Sequence, residues 1–169
     1  MSSVSLLNVT DKKGREANYD GDVMAMKMTQ RHQILKTILH IVGLAMIANG
    51  IWMVANAIEW FFSIPADMPA TGAPNGHLIR DVGMAYVVFG SALHWCALQL
   101  KSRRFVLLMV ALFMIFHALG HAFEILFGVL PTSHWWIDFP FVFLPGLFFA
   151  ALAIPRIWAW LVGEIDLGA

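Results

Sequence analysis

Two groups of residues in this chain have the types and spacing to do chemistry. One is His117-Ala-Leu-Gly-His121-Ala-Phe-Glu124, inside a long apolar run. At 100° per residue, spacings of four and three bring both imidazoles and the carboxylate within about 60° of one another on one helix face. Such a face can present several ligands to a divalent transition metal. The other is His77-Leu-Ile-Arg80-Asp81, which opens a second apolar run, a costly place for ionisable groups. His77 and Asp81 are candidates to complete a metal shell begun by His117, His121 and Glu124; imidazole with carboxylate suits Zn, Fe, Mn or Cu. In a competing reading Arg80 neutralises Asp81, Glu59 or Glu124, and together with Asp138 these form a network that fixes helix register and holds no ligand. In a third, His and Glu inside a membrane handle protons or a small solute. His40 and His94 lie on two different apolar runs and are candidate axial ligands of a b-type haem. No reaction follows from these patterns, and no catalytic residue is assigned.

The elements that must position these groups are transmembrane helices. Hydrophobic residues make up 59% of the 169 and charged ones 13%, with a mean hydropathy of +0.70. That is far more apolar than a soluble domain. Eleven basic residues balance eleven acidic ones, so no global field points to nucleic acid. The lipid bilayer is the expected partner, with a larger membrane enzyme or a second copy as candidate protein partners. The single cysteine, Cys96, lies in an apolar run and reads as a buried small hydrophobe. Residues 1–23 carry no apolar stretch of the kind a secretory signal needs. They read as a mobile polar tail ahead of one transmembrane domain, 24–169.

Four spans are expected, at about 35–62, 77–99, 105–127 and 138–162, giving an all-α four-helix bundle. The stretch 64–76 is dense in Pro, Gly, Asp and Asn and reads as a loop; 128–137 reads as a second. Gly83, Gly90 and Ala97 recur every seven residues and predict a smooth stripe for close helix contact. Asp138 is placed to cap the last span, with Pro140 in its first turn, and Pro145 and Pro155 are expected to bend it. Trp60, Trp135, Trp136, Trp158 and Trp160 read as interfacial anchors. Lys12, Lys13, Arg15, Lys27, Arg31 and Lys36 lie in the tail and the first flank, and Lys101, Arg103 and Arg104 form the turn after the second span. This bias predicts both termini on the cytoplasmic side of a bacterial inner membrane. At about 1.5 Å rise per residue, Glu59, Asp81, His121, Glu124 and Asp138 then fall in one layer near the outer face, with His77, Arg80 and His134 at its rim.

The stretch Thr71-Gly72-x-x-Asn75-x-His77-x-x-Arg80-Asp81-x-Gly83 resembles a group of small, uncharacterised bacterial four-helix membrane proteins. Those proteins also carry a His-containing third helix and an Asp-Phe-Pro-like start to the fourth, matched here by His117, His121 and Asp138-Phe139-Pro140. The resemblance runs from about Leu39 to Pro155. It implies the same four-helix architecture and singles out the same residues, without bringing an activity. The function expected from sequence is therefore a small inner-membrane protein with a His and acidic cluster near its outer face. It would bind a metal or act as an accessory to a larger membrane enzyme; the alternatives are a structural protein or a small proton or solute transporter.

Overall fold

The computed structural model describes residues 3–163, with side chains described at 19, 22 and 23 and from 25 onward. Every regular element among these residues is helical. α1 runs Ser3–Ala55, α2 Ala57–Ser63, α3 Gly76–Leu98 and α4 Arg104–Leu126. After a second loop come the one-turn α5, His134–Ile137, a π-helical turn at Phe139–Phe143, α6 at Leu144–Ala153 and α7 at Pro155–Leu161. Three helical stretches are long and apolar enough to cross a membrane, Ala25–Ala55, Gly76–Leu98 and Arg104–Leu126. They mark a membrane protein.

The second and third spans lie within one residue of their expected bounds. The first and the last do not. Helical backbone extends back to Ser3, through the stretch read as an irregular tail; no proline precedes Pro65 to interrupt the ladder. At the other end the apolar run breaks at Asn56, whose φ of −135° and ψ of 59° leave the helical region. Asn is suited to such a break because its side chain competes with the backbone ladder. α2 follows at once and buries Ala57, Trp60 and Phe61.

The expected span 138–162 is two helices bent by 87°. Pro155 supplies no N–H to continue α6 and forces the residue before it out of the helical region; Ile154 accordingly sits at ψ 119°. Pro145 does not bend the chain as expected. It lies in the first turn of α6, where a missing N–H costs little. The wide π turn before it absorbs the irregularity, with the Asp138 carbonyl accepting from the amides of Phe141, Val142 and Phe143.

α1 and α3 pack antiparallel at backbone distance. A Cβ built on Gly43 would stand 2.8 Å from the Gly90 carbonyl oxygen, and one on Gly50 would stand 2.5 Å from that of Gly83. The seven-residue stripe expected on α3 therefore meets a matching stripe on α1, Gly43 and Gly50. α4 and α6 make a second close contact, where a Cβ on Gly146 would lie 2.7 Å from Ala118 Cβ. A shared core of Leu39, Leu93, Leu107 and Phe149 joins α1, α3, α4 and α6 toward the end where the basic turn 101–104 and α7 lie, and Trp158 of α7 is buried in it. A smaller cluster of Met53, Ala57, Trp60, Phe61 and Ile79 closes α1, α2 and α3 at the loop end. Cys96 is buried in the shared core, as expected, and donates to the Arg103 carbonyl.

Candidate functional site

The polar residues that meet do so at the loop end, between α4 and the segment that follows it. α4 stops at Gly128, which takes φ 74°. The Val129 amide returns to the Glu124 carbonyl and the Gly128 amide to that of Ile125, the paired bonds that end a helix on a left-handed residue. The chain then turns at Pro131, whose carbonyl accepts from the His134 amide. α5 stacks His134 and Asp138 one turn apart against the last turns of α4.

Asp138 is the hub. Its Oδ2 lies 2.9 Å from His121 Nδ1 and 3.2 Å from His134 Nδ1. A carboxylate only accepts, so both imidazoles donate from Nδ1. Asp138 and His134 are each 1% exposed, a deep burial for ionisable groups that persists only with partners. The expectation that Asp138 caps the fourth span is thereby corrected: its side chain makes no cap hydrogen bond because it is committed to the two histidines.

The line continues in both directions. Toward solvent, His134 Nε2 faces Asp67 Oδ2 across 3.7 Å. It is shielded from solvent and has no hydrogen-bond partner among the described residues. Asp67 stands in the loop at φ 46°, outside the regions most side chains adopt. Toward the interior, the rings of His121 and His117 meet edge to face with centroids 4.8 Å apart, and His117 Nε2 is 3.3 Å from the Tyr86 hydroxyl. Beyond them the aromatic rings of Phe89 and Phe113 stack at 4.3 Å, with Phe113 also parallel to His117. Five titratable side chains thus follow one another from loop to mid-helix behind Asp67, in the order His134, Asp138, His121, His117, Tyr86.

The residues expected to complete a metal shell go elsewhere. His77 Nε2 pairs with Asp81 Oδ2 at 3.4 Å on an exposed face of α3, while His121 turns to Asp138. Glu124 is half-buried and its carboxylate makes no hydrogen bond or ion pair among the described residues. No three His, Cys, Asp or Glu side chains among those residues converge as metal ligands would. Arg80 is not the pivot that the sequence suggested. Its Nη1 donates to the Gly76 carbonyl of its own helix, and it forms no ion pair with Glu59, Asp81 or Glu124 among the described residues; Glu59 is itself exposed. Within the motif at 71–83 each polar residue has a local use. Thr71 closes the 3₁₀ turn Met68–Thr71, Asn75 caps α3 through the amides of His77 and Leu78, and Gly83 admits α1.

His40 and His94 do meet, Nδ1 to Nδ1 at 2.9 Å. One ring must donate and the other accept. A metal between two imidazoles sits about 2.0–2.1 Å from each nitrogen, so ligation would need the pair to be about 4 Å apart. The macrocycle would also have to enter where Gly43 and Gly90 touch backbone to backbone. These residues do not fit a haem. Trp60 likewise departs from its expected interfacial role, since it is buried and donates from Nε1 to Asn49 Oδ1 at 2.9 Å.

Three members of the line were missed as partners from the sequence. His134 was placed only at the rim, although its i,i+4 spacing to Asp138 was a readable signal; Asp67 and Tyr86 carried no local signal at all. Comparison with protein-family models, curated proteins and solved structures gives no match to this chain.

Proposed function

We propose that this chain is a multi-pass protein of the bacterial inner membrane, a four-helix bundle with both termini in the cytoplasm, that takes up protons at its outer face and passes them toward the membrane midplane. The observation that carries this reading is that His134 stands between Asp67 and Asp138 with one ring nitrogen facing each carboxylate. A neutral imidazole has one N–H and one bare lone pair, yet His134 turns both of its nitrogens to carboxylate oxygens. A lone pair facing an ionised carboxylate in a buried site is repelled. The trio is therefore satisfied by one proton more than a neutral histidine and two ionised aspartates carry. His134 lies between the two acids and is the member placed to hold it, as an imidazolium with a charge-assisted bond to Asp138 and the Asp67 carboxylate facing its second N–H across 3.7 Å.

A proton released inward from His134 reaches Asp138; His121 takes it from there only after giving up its own Nδ1 proton as its ring reorients toward His117. Transfer from His121 to His117 requires one ring to reorient, because their contact is edge to face with no hydrogen bond between them among the described residues. His117 then exchanges with the Tyr86 hydroxyl. The stacked rings of Phe89 and Phe113 hold no proton and end the line.

A second reading has its own observation. Asp138 joins α4 to α5 through two imidazoles, which is what a purely structural cross-brace does. His121→Gln separates the two, because glutamine keeps an N–H donor and does not titrate. The assay is proton exchange at His117, read by nitrogen NMR of isotope-labelled histidine in the reconstituted full chain and paired with a thermal melt. The proton reading expects His121→Gln to slow exchange at His117 with the melt nearly unchanged. Unchanged exchange sinks it and leaves the brace.

A further inference from the structure

The proton line leaves two half-buried histidines unused. His40 of α1 and His94 of α3 meet in the other half of the bundle, Nδ1 to Nδ1 at 2.9 Å, with ring centroids 4.4 Å apart and planes tilted by 58°. The contact lies one turn from the point where the two helices touch backbone to backbone. A Cβ on Gly43 would stand 2.8 Å from the Gly90 carbonyl oxygen and 3.2 Å from the His94 amide nitrogen, so the helices have little slack at this level.

The contact requires one bare nitrogen. A neutral imidazole carries one N–H and one lone pair, so one ring donates from Nδ1 and the other accepts at Nδ1. A proton added at Nε2 of the donor ring leaves that bond in place and makes it charge-assisted. A proton on the acceptor's Nδ1 sets N–H against N–H and puts two cations in contact. The pair therefore holds together with one imidazolium at most.

The elements that pack on α1 and α3 offer no counter-charge to a second one. There is no carboxylate on α1 from Ala25 onward, on α3 beyond Asp81, on α4 ahead of Glu124, or anywhere on α6 and α7; α2 carries Glu59, but at the loop end. On α1 itself, Lys36 and His32 stand one and two turns before His40. Lys101 and Arg103 follow α3, Arg104 opens α4 and Arg156 lies on α7, so the charged groups toward this end are cations. Cys96, beside His94 in the sequence, is committed to the Arg103 carbonyl.

We infer that His40 and His94 form a pH-released latch between α1 and α3, closed while at least one ring is neutral and opened when both take up a proton. Its stabilisation is present at the higher pH and lost as the pH falls. The pair shares no residue with the proton line, so either can fail alone.

A double-mutant cycle of His40→Ala, His94→Ala and the double variant isolates this pair from every other titrating group. It is read from thermal midpoints of the full chain in one neutral detergent, at about pH 8 and about pH 5, the interval over which imidazole ordinarily changes charge. At the higher pH the double variant is expected to lose less than the sum of the two single losses, and at the lower pH the losses should add. Additive losses at the higher pH, or the same coupling at both, overturn the inference. If the variants do not fold, nitrogen NMR of the parent chain with isotope-labelled histidine decides. One proton shared between the two Nδ1 atoms at the higher pH, and a protonated Nδ1 on each ring at the lower, is the expected result. Absence of the shared proton at the higher pH, or its persistence at the lower, overturns the inference equally.

Discussion

Replacing Gly90 by alanine probes the contact on which the packing of α1 and α3 depends. The added Cβ would stand 2.6 Å from the Gly43 carbonyl oxygen, 2.9 Å from Ile47 Cγ1 and 3.0 Å from the Ile47 amide nitrogen. Two of those three atoms are backbone and cannot rotate away. Reaching the 3.4 Å of ordinary contact asks the two helices to part by about 0.8 Å, and the gap opens directly beside the His40–His94 hydrogen bond. Overpacking of this kind costs about 1–3 kcal/mol. Against it stands the gain in helix propensity from glycine to alanine, close to 1 kcal/mol. The net is a destabilisation of up to about 2 kcal/mol, and a midpoint lower by about 2–4 °C per kcal/mol for a chain of this size. Gly120→Ala is the control: a Cβ there meets nothing within 4 Å, so only the propensity gain operates and the midpoint should rise. Thermal melts of both variants in one detergent give the answer. If Gly90→Ala melts at or above the parent while Gly120→Ala melts below it, the packing argument is wrong in sign at both sites.

Other expectations follow from the network. Asp138→Ala strands two imidazole donors, one of them fully buried, at about 1–3 kcal/mol each, and should lower the melting midpoint more than any exposed substitution on α3, His77→Ala included. Asp67→Asn changes a half-exposed loop residue and should leave the midpoint within about 0.5 kcal/mol of the parent while slowing proton exchange at His117; equal exchange would count against Asp67 as the entry point. Trp60→Phe removes the donor to Asn49 Oδ1, and the orphaned acceptor should cost about 1 kcal/mol, read from the same melts.

How far the sequence reaches depends on what fixed each feature. The spans Gly76–Leu98 and Arg104–Leu126 are bounded by local chemistry, an Asn cap before one and an arginine-rich turn between them, and could be placed to within a residue. The break at Asn56 and the right-angle turn at Pro155 also have local causes. The bend at Pro155 is expected and found, but hydropathy runs across both sites without interruption, so neither reads as the end of a helix. Depth counting put His121 and Asp138 in one layer, and they do bond. It could not tell that Arg80 would turn back to its own helix, because side-chain direction is set by packing rather than depth. The seven-residue spacing of Gly83 and Gly90 was readable, and the same spacing at Gly43 and Gly50 would have foretold the α1–α3 register. His134 was obscured by Trp135 and Trp136, which drew the segment toward an interfacial reading. Asp67 reaches the site only through the return of a loop, and no local pattern announces that.

The central claim, that Asp67, His134 and Asp138 together hold one extra proton, is tested most directly by nitrogen NMR of the full chain with isotope-labelled histidine in bilayers. The His134 ring is expected to show both nitrogens protonated, and in Asp67→Asn only one. A bare Nε2 on His134 in the parent chain, unchanged by Asp67→Asn, would contradict it.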